Sequence, residues 1–171
     1  MSIFKKYTHQ LKIGLSFGLT SGVITTLGMI SGLSAAEFSK IVVITGIIVL
    51  AFADGLSDAV GIHLSEESET TLQGEKVHNQ KEIWLTTLFV FISKVIFALT
   101  FIIPFLIFMP RMALLISIVW GIFLLTILSF YIAKTNQEKP FKIIIEHITL
   151  VFAVIIVTWL IGHFVSILLN K

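Results

Sequence analysis

Apolar residues in this chain do not alternate with polar ones in short strand-like or amphipathic patterns. They run in five long stretches, roughly 13–33, 42–63, 83–108, 112–133 and 143–169. Each reaches or exceeds the ~20 residues that a helix needs to cross ~30 Å of hydrocarbon. The stretches take up nearly all of the sequence. The pattern therefore predicts an all-α integral membrane protein of five transmembrane helices, built as a single transmembrane domain over 1–171. The connections between spans are short. Only 64–82 holds a sustained polar run, with Ser65, Glu66, Glu67, Ser68 and Glu69 followed by Glu75, Lys76, His78 and Lys81. Pro110 and Pro140 stand at helix boundaries, and Pro104 falls inside the third stretch, where it predicts a kink.

Composition supports this. The 171 residues are 56% hydrophobic and 13% charged, with a mean hydropathy of +1.01, whereas soluble domains are about a quarter charged. Fifteen Phe suit a lipid-facing surface, and Trp84 falls near a predicted boundary, where amphipathic rings are favoured. The absence of cysteine excludes disulfides, Cys-ligated zinc and iron–sulfur clusters. A net charge of +2 gives no reason to expect a nucleic-acid partner. The first stretch has lysines before it and Ser34-Ala35-Ala36 after it, in the manner of a cleaved signal. It is longer and richer in Gly, Ser and Thr than a signal core, so it is expected to stay as a span.

Five spans place the two ends of the chain on opposite sides. Lys5, Lys6, Lys12, Lys76, Lys81, Lys134, Lys139 and Lys142 make eight basic residues on one side, against Lys40, Arg111 and Lys171 on the other. The positive-inside rule puts the N-terminus and the 64–82 connection in the cytoplasm and the C-terminus outside.

Two features of the spans stand out. The first is small-residue spacing in span one. Gly14, Gly18 and Gly22 form one ridge, and Ser21, Thr25, Gly28 and Gly32 a second. Such ridges let helix backbones approach closely, either against a second copy or within one chain. The second feature is charge inside the apolar spans. Asp54 and Asp58 lie four residues apart in span two, and a carboxylate at bilayer depth is costly. On a helix, Asp54, Asp58, Ser65 and Glu69 fall within about 60° of one another. That face makes an acidic track from the cytoplasmic connection, through Asp58, to Asp54 about 6 Å deeper. Carboxylate and hydroxyl oxygens suit Mg²⁺, Mn²⁺ and Fe²⁺. One helix supplies two such carboxylates, and a symmetric dimer would supply four.

The competing account of the acids is a structural ion pair. Lys94 lies about eleven residues into span three and Asp54 about nine into span two, counted from the same side. Their depths differ by only ~3 Å, so an Asp54–Lys94 pair would neutralise both and need no substrate, alone or together with a site at Asp58. His63 and His147, the latter beside Glu146, stand where they would line an entrance or be solvated. His9, His78 and His163 read as surface or boundary residues. The Glu66, Glu67, Glu69 cluster either concentrates cations or is simply a wet face. No enzymatic constellation is present: the two aspartates share one helix, Leu19-Thr20-Ser21-Gly22 lacks the first Gly of a Gly-x-Ser-Gly site, and no phosphate loop or zincin pattern occurs.

Phe17-Gly18-Leu19-Thr20-Ser21-Gly22, continuing to Gly32-Leu33-Ser34-Ala35-Ala36, resembles the first span of the vacuolar iron transporter family. Ser57-Asp58-Ala59-Val60-Gly61-Ile62-His63-Leu64-Ser65 resembles the end of that family's second span. The likeness covers about 17–69 at motif level and the rest in layout alone. It implies a homodimer that exports Fe²⁺ or Mn²⁺ from the cytoplasm against protons, along a path lined by helices one and two. Two departures mark a divergent, compact branch. The family's first-span Asp falls at Ser21 and its second-span Met at Asp58, so an acid has changed helix and a soft ligand is gone. The family's large metal-binding domain between spans two and three is also missing.

The resulting expectation is a divalent-metal exporter in the cytoplasmic membrane of a bacterium or archaeon. Asp58 and Asp54 bind Mn²⁺ or Fe²⁺. Ser21 and Thr25 face the ion from the first helix, Glu66 and Glu69 attract it at the mouth, and His63 lines the entrance. No cofactor is expected, the metal being cargo. The rival expectations are a non-transporting assembly protein with Asp54 paired to Lys94, and a proton or monovalent-cation pathway.

Overall fold

The computed structural model describes residues 7–70 and 74–169. The helices are α1 (Thr8–Ala35), α2 (Lys40–Ser68), α3 (Gln80–Thr100), α4 (Ile102–Ile107), α5 (Pro110–Asn136) and α6 (Pro140–Leu169). No strand occurs among the described residues, apart from one isolated bridge between Thr70 and Lys76. Five helices are long and apolar enough to cross a membrane, the third being α3 and α4 in succession, Gln80–Ile107. The chain is thus an all-helical membrane protein. Each of the five spans covers one of the five apolar stretches to within a residue and starts two to five residues before it.

Local chemistry sets the boundaries. Asn79 and Glu82 cap α3 reciprocally: the Glu82 amide donates to Asn79 Oδ1 at 3.0 Å and the Asn79 amide to Glu82 Oε2 at 3.3 Å. Pro110 opens α5 and Pro140 opens α6, where a missing N–H costs nothing. The third span breaks after Thr100. Pro104 has no N–H for the Thr100 carbonyl four residues earlier, so the predicted kink falls there. α2 does not stop at the end of its apolar stretch. It continues to Ser68 and carries Ser65 and Glu66 on regular helix, and Glu69 is the first residue to leave it.

α1 is the hub. Half of its membrane window is buried, against 11% for α6. Both small-residue ridges explain this. Gly14, Gly18 and Gly22 lie against α3, so closely that a Cβ on Gly18 would stand 2.7 Å from the Val90 carbonyl oxygen. Gly28 and Gly32 lie against α6, where the Gly32 carbonyl meets Gly162. Ser31 adds a hydrogen bond from its Oγ to the Ile155 carbonyl at 3.1 Å. Of the two accounts of the ridges, close packing within one chain is what the fold uses. Around α1 collects a core of Leu19, Val23, Leu27 and Ile30 with Val43, Ile47, Phe101, Phe105, Leu125 and Val151. The outer faces of α2, α5 and α6 remain apolar and exposed, as a surface in lipid must be.

Glycines at close approaches and glycines on open faces should respond oppositely to a methyl group. At Gly162 an added Cβ would overlap the Gly32 carbonyl oxygen, whereas at Gly61 it would meet nothing within 4 Å. Gly162→Ala is expected to cost about 1–3 kcal/mol by overpacking. Gly61→Ala should be neutral or slightly stabilising through helix propensity. Thermal unfolding in detergent checks this: the first variant melts lower than the parent and the second does not.

Candidate functional site

The inner parts of α1, α2 and α3 converge because small residues stand at their contacts. Gly18 and Gly22 bring α1 against the α3 backbone at Ser93 and Lys94, and Gly55 brings α2 against Phe91 and Val95. Into this junction α3 sends Lys94, the largest fully buried side chain, only 1% exposed. α2 is read in the opposite direction along the bundle, and its i, i+4 pair Asp54 and Asp58 presents two carboxylates to the same point.

One ammonium serves both acids. Lys94 Nζ lies 2.5 Å from Asp54 Oδ2 and forms a second ion pair with Asp58 Oδ2. It also donates to Ser21 Oγ at 2.9 Å and approaches the Asp54 carbonyl oxygen at 3.4 Å. Ser21 closes the ring by donating to Asp58 Oδ2 at 2.6 Å. The Asp54 contact is ionic rather than a directed hydrogen bond: its Oδ2 is buried and accepts none. The Asp54–Lys94 pair expected from matching depths is therefore present, but Asp58 does not stand apart from it. Spacing alone held the clue, since carboxylates one helical turn apart are both within reach of a lysine at their depth.

With all three groups ionised the cluster carries one uncompensated negative charge. The charge is not sealed in. The Asp54 and Asp58 side chains are 28% and 21% exposed, toward a face of α2 where Ala53, Ser57 and Gly61 are also exposed. Those three small residues lie on a face bordered by the exposed side chains of Leu56, Val60 and Leu64.

The remaining expected site residues lie elsewhere. Thr25 stays within α1, its hydroxyl donating to the Ser21 carbonyl at 2.9 Å. His63 places Nδ1 3.0 Å from Thr87 Oγ1 and packs its ring edge-on against Trp84. Glu66 is two turns beyond Asp58, about 12 Å along the axis, and is buried rather than forming an open mouth. Its partner is His78, whose Nε2 lies 3.7 Å from Glu66 Oε2 and 3.3 Å from Glu69 Oε2. His78, read from the sequence as a surface or boundary residue, therefore sits between Glu66 and Glu69, and it stacks on His9 of α1. Glu67 takes Lys76 at 3.7 Å and Gln80 at 3.5 Å. His147 belongs to a separate contact with Ser129 Oγ at 3.2 Å and the Ile143 carbonyl at 2.9 Å.

Among the described residues, no group of three or more His, Cys, Asp or Glu is arranged to hold a metal ion. One chain offers two carboxylates, the Ser21 hydroxyl and the Asp54 carbonyl, with an ammonium already among them. No protein-family model matches the chain, and no curated protein matches it either.

The shared ammonium predicts an order of stabilities. Lys94→Met leaves two half-buried carboxylates facing each other and should cost about 2–4 kcal/mol, less than for a fully buried pair because both are partly exposed. Asp54→Asn or Asp58→Asn leaves a one-to-one pair and should cost less. Lys94→Met combined with both Asp→Asn changes should recover most of the loss. Melting temperatures of the four variants check the order, and a Lys94→Met protein as stable as its parent would show that the ion pairs do not form.

Proposed function

We propose that this chain transports a divalent metal cation, Mn²⁺ or Fe²⁺ first, out of the cytoplasm in exchange for protons. The observation that carries this reading is that two carboxylates, Asp54 and Asp58, share one ammonium, Lys94, within the apolar spans. With all three ionised the cluster has one negative charge left over, which is expensive at bilayer depth unless a mobile cation balances it. The exposed, small-residue face of α2 supplies an approach. If two copies set these faces together, their clusters leave two negative charges between them, which one divalent ion balances and one monovalent ion does not. When the metal leaves, a proton on one carboxylate of each chain restores neutrality, which is the basis for exchange.

Three further features support the reading. The excess of lysines on one side places the N-terminus and the Glu66–Glu69 connection in the cytoplasm. α2 stays helical from Asp54 through Ser65, so Asp54, Asp58 and Ser65 share one face of it. The motifs at 17–22 and 57–65 resemble vacuolar iron transporters, a family of homodimeric exporters, in a compact branch without the cytoplasmic domain. With only oxygen ligands at the cluster, a hard or borderline ion is favoured over a soft one.

A second reading is favoured by one observation. Lys94 is fully buried and satisfies both acids, as it would in a non-transporting membrane protein whose cluster fixes helix packing. Metal response separates the two. A transporter in detergent should melt higher with Mn²⁺ by mass action, by about 2.7 kcal/mol of added stability at a hundredfold excess over Kd. A purely structural cluster gives no shift.

Asp58→Asn keeps the size of the side chain and an oxygen for Ser21 while removing the charge. It should abolish Mn²⁺ and Fe²⁺ flux in proteoliposomes with the fold retained. Asp58→Met should move preference toward softer ions such as Fe²⁺ or Co²⁺ relative to Mn²⁺. Parental flux in Asp58→Asn would reject the site.

A further inference from the structure

Lys94 has more partners than a counter-ion requires. Beside the two carboxylates, its ammonium has two neutral acceptors, Ser21 Oγ at 2.9 Å and the Asp54 carbonyl oxygen at 3.4 Å. These two do not depend on the carboxylates. An ion that drew Asp54 and Asp58 to itself would leave the ammonium hydrogen-bonded to Ser21 and to the α2 backbone, still inside the same junction. The ammonium is also confined. Gly22 lies along the Lys94 stem, where a Cβ would stand 3.4 Å from Lys94 Cγ and 3.1 Å from its carbonyl oxygen. With Lys94 only 1% exposed, α1 and α2 enclose the ammonium and hold it within reach of the acids.

We propose that Lys94 is a tethered competitor for the transported cation. It occupies the carboxylates when the site is empty, retreats to Ser21 and the Asp54 carbonyl when metal binds, and returns to expel the metal. The proposal rests on the transport reading above and adds to it the device that sets affinity and release. A fixed positive charge beside a divalent ion weakens its binding, because both positive charges share one low-dielectric space. A site of bare carboxylates would hold the ion and turn over slowly. Lys94 trades affinity for release, and it acts on the metal through the aspartates rather than by binding it.

The test is the split between half-saturation and maximal flux for Mn²⁺ in proteoliposomes, together with Mn²⁺ affinity of the purified protein in detergent. Lys94→Met should bind Mn²⁺ about tenfold or more tightly than the parent, and its maximal flux should fall by about tenfold or more. A merely structural lysine predicts the opposite, with affinity and flux lost together. Lys94→Gln removes the charge but keeps both carboxylates and a neutral donor for Ser21, and it decides the matter if the Met variant does not fold. It too should bind Mn²⁺ more tightly than the parent and show the low maximal flux. Weaker binding than the parent in the variant that folds, or parental maximal flux in either variant, overturns the proposal. A parent protein that neither binds nor carries Mn²⁺ or Fe²⁺ rejects the transport reading itself, a result distinct from both.

Discussion

One ammonium held between two carboxylates constrains the rest of this bundle. Burying Lys94 requires an anion within reach, and burying Asp54 and Asp58 requires a cation. Neither demand can be met by lipid. The helices must therefore approach closely enough for a side chain of α3 to cross to α2 while passing α1. That approach is possible only where Gly18, Gly22 and Gly55 omit their side chains. Small residues and buried charge are usually treated as separate themes in membrane helices. Here the first is the geometric condition for the second.

The arrangement also separates two electrostatic environments along α2. The inner cluster has more acid than base and sits among apolar residues. The outer cluster, Glu66, Glu67 and Glu69, is met by His78, Lys76 and Gln80 from the connection that follows. The connection folds back onto the end of its own helix and supplies the partners that the helix lacks. An acidic run read from the chain as a free surface is thus largely engaged locally, and its field at a distance is correspondingly reduced.

Much of the fold was legible because membrane helices obey a one-dimensional rule. Twenty apolar residues in a row have few alternatives in lipid, so the five spans and the kink near Pro104 follow from length and proline chemistry. Counting rise per residue placed Asp54 and Lys94 within ~3 Å of the same depth, and Asp58 about 6 Å from Asp54. What counting could not supply was rotation. Whether Lys94 faces Asp54, Asp58 or both depends on how α3 turns against α2. That turn is set by the Gly18 and Gly55 contacts, which involve residues far apart in sequence. The same gap hid the role of His78, since its neighbours come from α1 and α2. Thr25 was placed correctly on its helix but not in its bonding, because a threonine hydroxyl in a helix readily turns back to the carbonyl one turn earlier.

The seam between α1 and α6 has a consequence for how the protein is made. Gly28, Gly32 and Ser31 near the start of the chain find their partners at Ile155, Thr158 and Gly162 near its end. The Ser31 hydrogen bond spans 124 residues. Helices enter the bilayer in order of synthesis. For most of that time the C-terminal half of α1 waits in lipid with a glycine groove and a hydroxyl unmatched, although its N-terminal half has α3 to close on well before α6 is made. The α1–α6 seam can therefore close only once the last helix has been made. An interrupted or truncated chain would expose this unfilled groove, the feature by which a membrane quality-control system could tell an unfinished molecule from a finished one.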